Sequence, residues 1–126
     1  MDKIILNTPD APAPIGPYSQ AVMVGNLLFI SGQVAINPAT GNVEAKDVTE
    51  ETHQVMKNLK AILAEAAIDF NRVVKTTIFL SDMSLFAAVN EVYGSYFKGD
   101  FPARETVAVK GLPKNVSVEI SMIAAK

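Results

Sequence analysis

Phe101-Pro102-Ala103-Arg104-Glu105-Thr106-Val107-Ala108-Val109, a six-residue break, and then Val116-Ser117-Val118-Glu119-Ile120-Ser121-Met122-Ile123 make up the stretch on which the reading of this chain turns. Both flanks alternate apolar with small or polar residues at period 2. The break holds Gly111 and Pro113, so the segment predicts two antiparallel strands joined by a loop. Pairing Val109 with Val116 sets Val107 against Val118, Thr106 against Glu119 and Arg104 against Ser121. One face then carries Val107, Val109, Val116, Val118 and Ile120; the other carries Arg104, Thr106, Ser117, Glu119 and Ser121. In this register Arg104 and Glu119 are diagonal neighbours, roughly 7–8 Å apart at the backbone. A guanidinium matches a carboxylate with two parallel hydrogen bonds, and a carboxylate beside it places a water or a proton. Such a pair suits a pocket for a small carboxylic acid with a hydrolysable group. Taken on residue type alone, such a pair is more often a plain ion pair on a solvated sheet face.

The bulk properties narrow the classes. A length of 126 residues fits one domain, with enough chain to bury a core of its own. There is no cysteine, so disulfides, thiolate metal sites and a cysteine nucleophile are excluded, and a reducing compartment is expected. The formal charge is −2, and Lys and Arg are scattered singly, which argues against a broad electrostatic grip on nucleic acid. The first residues hold too short an apolar run for a signal peptide, and no run reaches membrane-spanning length. A soluble, cytoplasmic protein is expected.

Working outward from the opening stretch, residues 3 to 7 form a short strand candidate. Pro9, Pro12, Pro14 and Pro17 then forbid a helix and predict an ordered loop ending at Tyr18. Residues 18 to 24 and 27 to 33 flank Gly25-Asn26, a pair suited to a tight hairpin. Val22, Val24, Leu27 and Phe29 share one face of it, and Ala21, Met23, Leu28 and Ile30 the other. Residues 34 to 47 are a turn-rich connection. A helix follows from about Thr49 as its cap, with an apolar stripe of Val55, Met56, Leu59, Ile62, Leu63, Ala66 and Ala67. Residues 73 to 80 read as a buried strand. A second helix runs from Ser84, its cap, to Phe97, with Leu85, Phe86, Val89, Val92, Tyr93, Tyr96 and Phe97 inward. The order predicts a single-domain α+β fold: a six-stranded mixed sheet with two α-helices on one face. The other face is apolar too and must be covered, which predicts a homo-oligomer packed through sheet surfaces.

Other candidates carry less. His53 is the single histidine, so no multi-histidine metal site exists within one subunit, and a half-packed helix residue is expected. Asp47, Glu50 and Glu51 fit charge complementarity at a helix start better than a cation site. Gly32 and Gly41 lack phosphate-loop spacing. Tyr18 either hydrogen-bonds a ligand or closes the edge of the core. Ser31 and Gly32 end a strand, where a glycine permits close backbone approach. Asn90 stands one residue off the second helix's apolar stripe, as an exposed amide or an inter-subunit contact.

Pro102-Ala103-Arg104 with Val118-Glu119-Ile120 resembles the signature of the RidA (YjgF) family of imine and enamine deaminases. The likeness extends through Ala13-Pro14-Ile15-Gly16-Pro17-Tyr18-Ser19-Gln20-Ala21, Leu28-Phe29-Ile30-Ser31-Gly32-Gln33 and Val89-Asn90-Glu91-Val92-Tyr93. The resemblance implies a homotrimer of chorismate-mutase-like subunits with sites in clefts between neighbours. It implies hydrolysis of 2-imino acids such as 2-iminobutanoate and 2-iminopropanoate, released by pyridoxal-phosphate dehydratases, to 2-oxo acids and ammonia without metal or organic cofactor. By the same resemblance Arg104 binds the substrate carboxylate and Glu119 helps position the attacking water. Tyr18, Ser31, Gly32, Asn90 and Thr106 match positions lining the pocket. Two residues depart from the family pattern. Glu105 replaces a small residue and would compete for Arg104 unless strand alternation turns it away, and Thr106 stands where many relatives have cysteine. The rivals are a non-catalytic sensor that binds a 2-oxo acid, and the translation-inhibiting ribonuclease described for some relatives.

Overall fold

The computed structural model describes residues 1–126. Strand β1 (Lys3–Leu6) pairs antiparallel with β2 (Ala21–Val24), which turns back through Gly25-Asn26 into β3 (Leu27–Gln33). Gly25 has a φ of 59°, the left-handed conformation that a two-residue turn requires. The register is Val24 with Leu27 and Val22 with Phe29, as the sequence predicts. A small hairpin of β4 (Ile36–Asn37) and β5 (Asn42–Val43) follows, closed over residues 38–41 by Gly41 N–H donating to the Asn37 carbonyl at 2.8 Å.

Helix α1 (Val48–Glu65) is capped by Asp47 and not by Thr49: Asp47 Oδ1 accepts from Glu50 N–H at 2.8 Å. Its stripe of Val55, Met56, Leu59, Ile62, Leu63 and Ala66 is buried. Ala67 is not part of it. It lies past the helix end at φ 60°, exposed, where the chain reverses. Strand β6 (Val73–Leu80) matches its expected span. Helix α2 is shorter than expected, Phe86–Gly94: Asp82 caps a 3₁₀ turn over Met83–Leu85 in place of a cap at Ser84, and the helix stops at a C-cap on Ser95, short of Phe97. Val89, Val92 and Tyr93 are buried, whereas Phe86 is exposed.

The last two strands overturn the predicted hairpin. β7 (Ala103–Ala108) lies parallel to β6 at the sheet edge, and β8 (Val118–Ala125) runs antiparallel between β3 and β6. The sheet order is β1-β2-β3-β8-β6-β7. β6 has β8 on one side and β7 on the other, and the chain reaches β7 from β6 through helix α2. Strand, helix α2 and strand therefore form a crossover unit whose strands are parallel. Arg104 pairs with Thr76, which pairs in turn with Met122; the predicted partner was Ser121. One residue of register reverses the face. Val107 is accordingly 46% exposed, on the face opposite Val118 and Ile120.

Both helices cover the face bearing Met23, Leu28, Ile30, Ile78, Leu80, Ile120 and Met122, which with α1 and α2 residues form one core. The opposite face leaves Ile5, Leu27, Phe29 and Val107 exposed. No helix is long and apolar enough to cross a membrane.

Candidate functional site

Strand alternation turns Arg104 to the helix-covered face, where α2 receives it. Arg104 Nη1 donates to Asn90 Oδ1 at 2.7 Å. The guanidinium carbon lies 5.2 Å from the centre of the Tyr93 ring and 5.6 Å from that of Phe86. Tyr93 is itself held, since its O–H donates to Thr76 Oγ1 at 2.9 Å in the interior. Burial holds the Tyr93 phenol above the usual tyrosine range, although the Thr76 hydrogen bond and the Arg104 charge pull it down. One amide and two rings thus orient the cation. Asn90 is its one hydrogen-bond partner, and no carboxylate of the chain pairs with it. Two residues along the same face, Thr106 Oγ1 is buried without a partner. An oriented guanidinium that lacks a carboxylate partner has N–H donors of the kind that match an oxyanion.

Glu105 faces away from all this. Its carboxylate pairs with Lys75 Nζ at 3.1 Å and accepts from Thr77 Oγ1 at 3.4 Å, both on the open face, so within the subunit it does not compete for Arg104.

Glu119 also leaves from the open face, contrary to the predicted diagonal pair. It lies in a cleft of about 360 Å³. Ile15 and Tyr18 reach this cleft from the proline-rich loop, Ser31 and Gly32 from the end of β3, and Pro113 and Lys114 from the turn before β8. Val34 and Ile36 supply an apolar wall. The β3–β8 register shifts between Ile30 and Gln33, a bulge that makes room beside Ser31 and Gly32. A Cβ on Gly32 would meet the Glu119 carboxyl at 2.8 Å, so the glycine is what admits that side chain. Burial pushes the Glu119 carboxyl above the ordinary glutamate range. Ser31 Oγ donates to the Ser19 carbonyl at 2.6 Å, which leaves its lone pairs free to accept. Tyr18, half exposed, accepts from Ile15 N–H at 3.4 Å.

Of the predicted residues, Tyr18, Ser31, Gly32 and Glu119 therefore converge in one cleft. Arg104, Asn90 and Thr106 converge in another place. One subunit does not bring the two groups together. His53 is half-buried, with Nδ1 2.8 Å from Tyr96 Oη, as a packed helix residue.

Sequence reasoning missed the buried amides that shape the cleft. Gln20 is 3% exposed; its Oε1 accepts from Thr8 N–H at 2.7 Å, and its Nε2 donates to the carbonyls of Thr8, Ala11 and Pro12. It staples the proline-rich loop that delivers Tyr18. Asn58, on α1, donates to the carbonyls of Val34 and Ile36. A loop crowded with prolines has carbonyls but few amides to pair with them; that shortage says only that some donor must come from elsewhere, and it does not single out Gln20.

The sequence and the fold have close counterparts among known proteins. The model of the Endoribonuclease L-PSP family, to which RidA belongs, matches residues 8–126. The chain belongs to this family. A RutC family protein of Pyrococcus horikoshii is 50% identical over 124 residues, covering 98% of each chain. The mouse 2-iminobutanoate/2-iminopropanoate deaminase is 49% identical over 122 residues, covering 97% of this chain and 90% of that one. The crystal structure of a putative endoribonuclease of Thermotoga maritima superposes with a TM-score of 0.95 at 49% identity, covering 98% of this chain and 97% of that one. The RidA-family fold is thus common to relatives bearing different functional names, and the activity must be argued from the site.

Proposed function

We propose that this RidA-family chain hydrolyses 2-imino acids and their enamine tautomers, 2-iminobutanoate and 2-iminopropanoate among them, to 2-oxo acids and ammonia. The observation that carries this reading is Arg104, a fixed and partly buried guanidinium with no acidic partner. Its open edge suits the carboxylate of a small substrate. Glu119 supplies the second function. Burial raises its affinity for a proton, which fits a group that takes a proton from water and returns it.

The protonated imine is already electrophilic at C2. Water adds there as its proton passes to Glu119, giving a carbinolamine. Glu119 then protonates the nitrogen, the C–N bond breaks with loss of ammonia as the hydroxyl gives its proton back to Glu119 and becomes the carbonyl, and that proton leaves on ammonia as ammonium beside the 2-oxo acid. Iminium and water carry the same atoms and charge as oxo acid and ammonium, so no redox or group-transfer cofactor enters. The protein contributes orientation and proton handling.

The sheet separates Arg104 from Glu119, so the reaction needs a second subunit. A homotrimer joined through the open face and the β7 edge would cover Phe29 and Val107 and set one subunit's Arg104 cluster beside its neighbour's Glu119 cleft. On this reading the substrates are the products that pyridoxal-phosphate dehydratases release, and the protein works beside those enzymes in the cytoplasm.

Threonine dehydratase generates 2-iminobutanoate, and semicarbazide traps what is not hydrolysed. Less semicarbazone with the wild-type protein than with Arg104→Ala is the expected result. No difference from the enzyme-free control, with both proteins folded, overturns the reading. Binding of 2-oxobutanoate without turnover would then identify a sensor.

A further inference from the structure

Glu51 lies in the first turn of α1, where Asp47 and Glu50 already serve the helix start: Asp47 Oδ1 takes Glu50 N–H, and Glu50 Oε2 takes Lys46 N–H at 2.7 Å. Glu51 does something else. It is 8% exposed, and a carboxylate so buried ordinarily has a cationic partner, yet none is present. Instead one of its oxygens, Oε1, accepts from both Ser117 N–H at 2.6 Å and Val118 N–H at 3.0 Å. Those amides lead directly into Glu119.

The segment they belong to needs a tether. Lys114 and Asn115, just before it, both take left-handed backbone conformations, at φ 58° and 55°, which side chains with a Cβ resist. Pro113 and Lys114 form part of the cleft wall. Ser117 is otherwise tied to the sheet through its carbonyl, which accepts from Ser81 N–H at 2.9 Å. Downstream, the Glu119 carboxyl fits against Gly32 with no room for even one extra carbon.

We propose that Glu51 is a positioning residue for Glu119, holding the mouth of β8 from helix α1 so that the Glu119 carboxyl keeps its place in the cleft. This rests on the deaminase reading above for its consequence in turnover. A single oxygen takes both amides, so what is required at position 51 is an acceptor at that point in space, and glutamine supplies one without the charge.

The test compares Glu51→Gln and Glu51→Ala with wild type in 2-iminobutanoate hydrolysis and follows the Glu119 carboxyl carbon through its titration by NMR. Glu51→Gln is expected to keep kcat/KM within about threefold. Glu51→Ala is expected to lose roughly 10–100-fold, chiefly in kcat, because the Arg104 cluster is untouched. Both variants lack the charge of Glu51, so a lower Glu119 titration midpoint in the alanine variant than in the glutamine variant reports displacement into water. Where the alanine variant does not fold, Glu51→Asp withdraws the oxygen by one methylene and serves in its place. A wild-type turnover per folded molecule in Glu51→Ala, or a Glu51→Gln as impaired as Glu51→Ala, overturns the proposal. Equal Glu119 midpoints in the two variants also overturn it, and that readout decides even if the wild-type protein hydrolyses no imine, an outcome that sinks only the deaminase reading.

Discussion

Arg104 and Glu119 leave the sheet on opposite faces, with β6 between their strands. Arg104 is level with Thr76 of β6 and Glu119 with Phe79, three residues further along. Two strand spacings across and three residues along put their Cα atoms about 14 Å apart. A reaction that uses both side chains on a small substrate is thus one between subunits, and it has a quantitative signature. Arg104→Ala and Glu119→Gln subunits, each inactive alone, are expected to regain activity when unfolded and refolded together. In a cyclic trimer every mixed assembly has one intact site of three, so an equal mixture recovers about a quarter of wild-type activity. No recovery, with mixed assemblies confirmed by mass spectrometry, would place the whole site within one chain.

Asn90 tests whether the open charge of Arg104 is what binds substrate. Its Oδ1 already lies 2.7 Å from Arg104 Nη1, so Asn90→Asp creates an ion pair without moving the arginine. The variant is expected to melt no lower than wild type while KM rises at least about tenfold, the scale of one lost charge-assisted hydrogen bond to substrate. An unchanged KM would mean that the substrate carboxylate binds elsewhere.

Gly32→Ala separates folding from function on the other side. The atom that a Cβ meets is the far end of the Glu119 side chain, so the carboxyl gives way and the backbone does not. The melting temperature is expected to change by about 2 °C or less, while kcat/KM falls roughly tenfold or more as Glu119 is moved off its position. A fully active Gly32→Ala would show that this contact does not set the geometry of turnover.

These expectations depend on a topology that only partly shows in the sequence. The Gly25-Asn26 turn is local, and its register fixes that Met23 and Leu28 share one face and Val22 and Phe29 the other. Alternation within 101–109 likewise puts Arg104 and Thr106 on one side and Glu105 on the other. The partner of β7, however, is β6, joined through α2, and nothing in the alternation of 101–109 names it. The legible signal was the order strand, helix, strand over residues 73 to 108, which favours a parallel crossover. That unit also explains why Asn90 and Tyr93 of the connecting helix reach Arg104. Gln20 and Glu51 stayed hidden for another reason, since each bonds backbone groups whose need for a partner exists only after the loops are folded.

On the proposed reading, Glu119 links stability to turnover through one proton. Burial raises its carboxyl above the ordinary range, so the folded chain binds this proton more tightly than the unfolded one. That contribution to stability is fully present below the ordinary glutamate value and is lost as pH rises from there through the raised value. Glu119→Gln is permanently neutral and escapes the loss. It is expected to melt about a degree or two above wild type at pH 8, a modest gain because the group is half solvated. The difference should close on acidification through the same interval. In kinetics the wild-type kcat/KM is expected to climb with pH across that interval as Glu119 becomes able to accept a proton from water. Glu119→Gln should lose that limb together with roughly 100-fold or more of the rate. A limb that survives in Glu119→Gln would assign the proton transfer to another group.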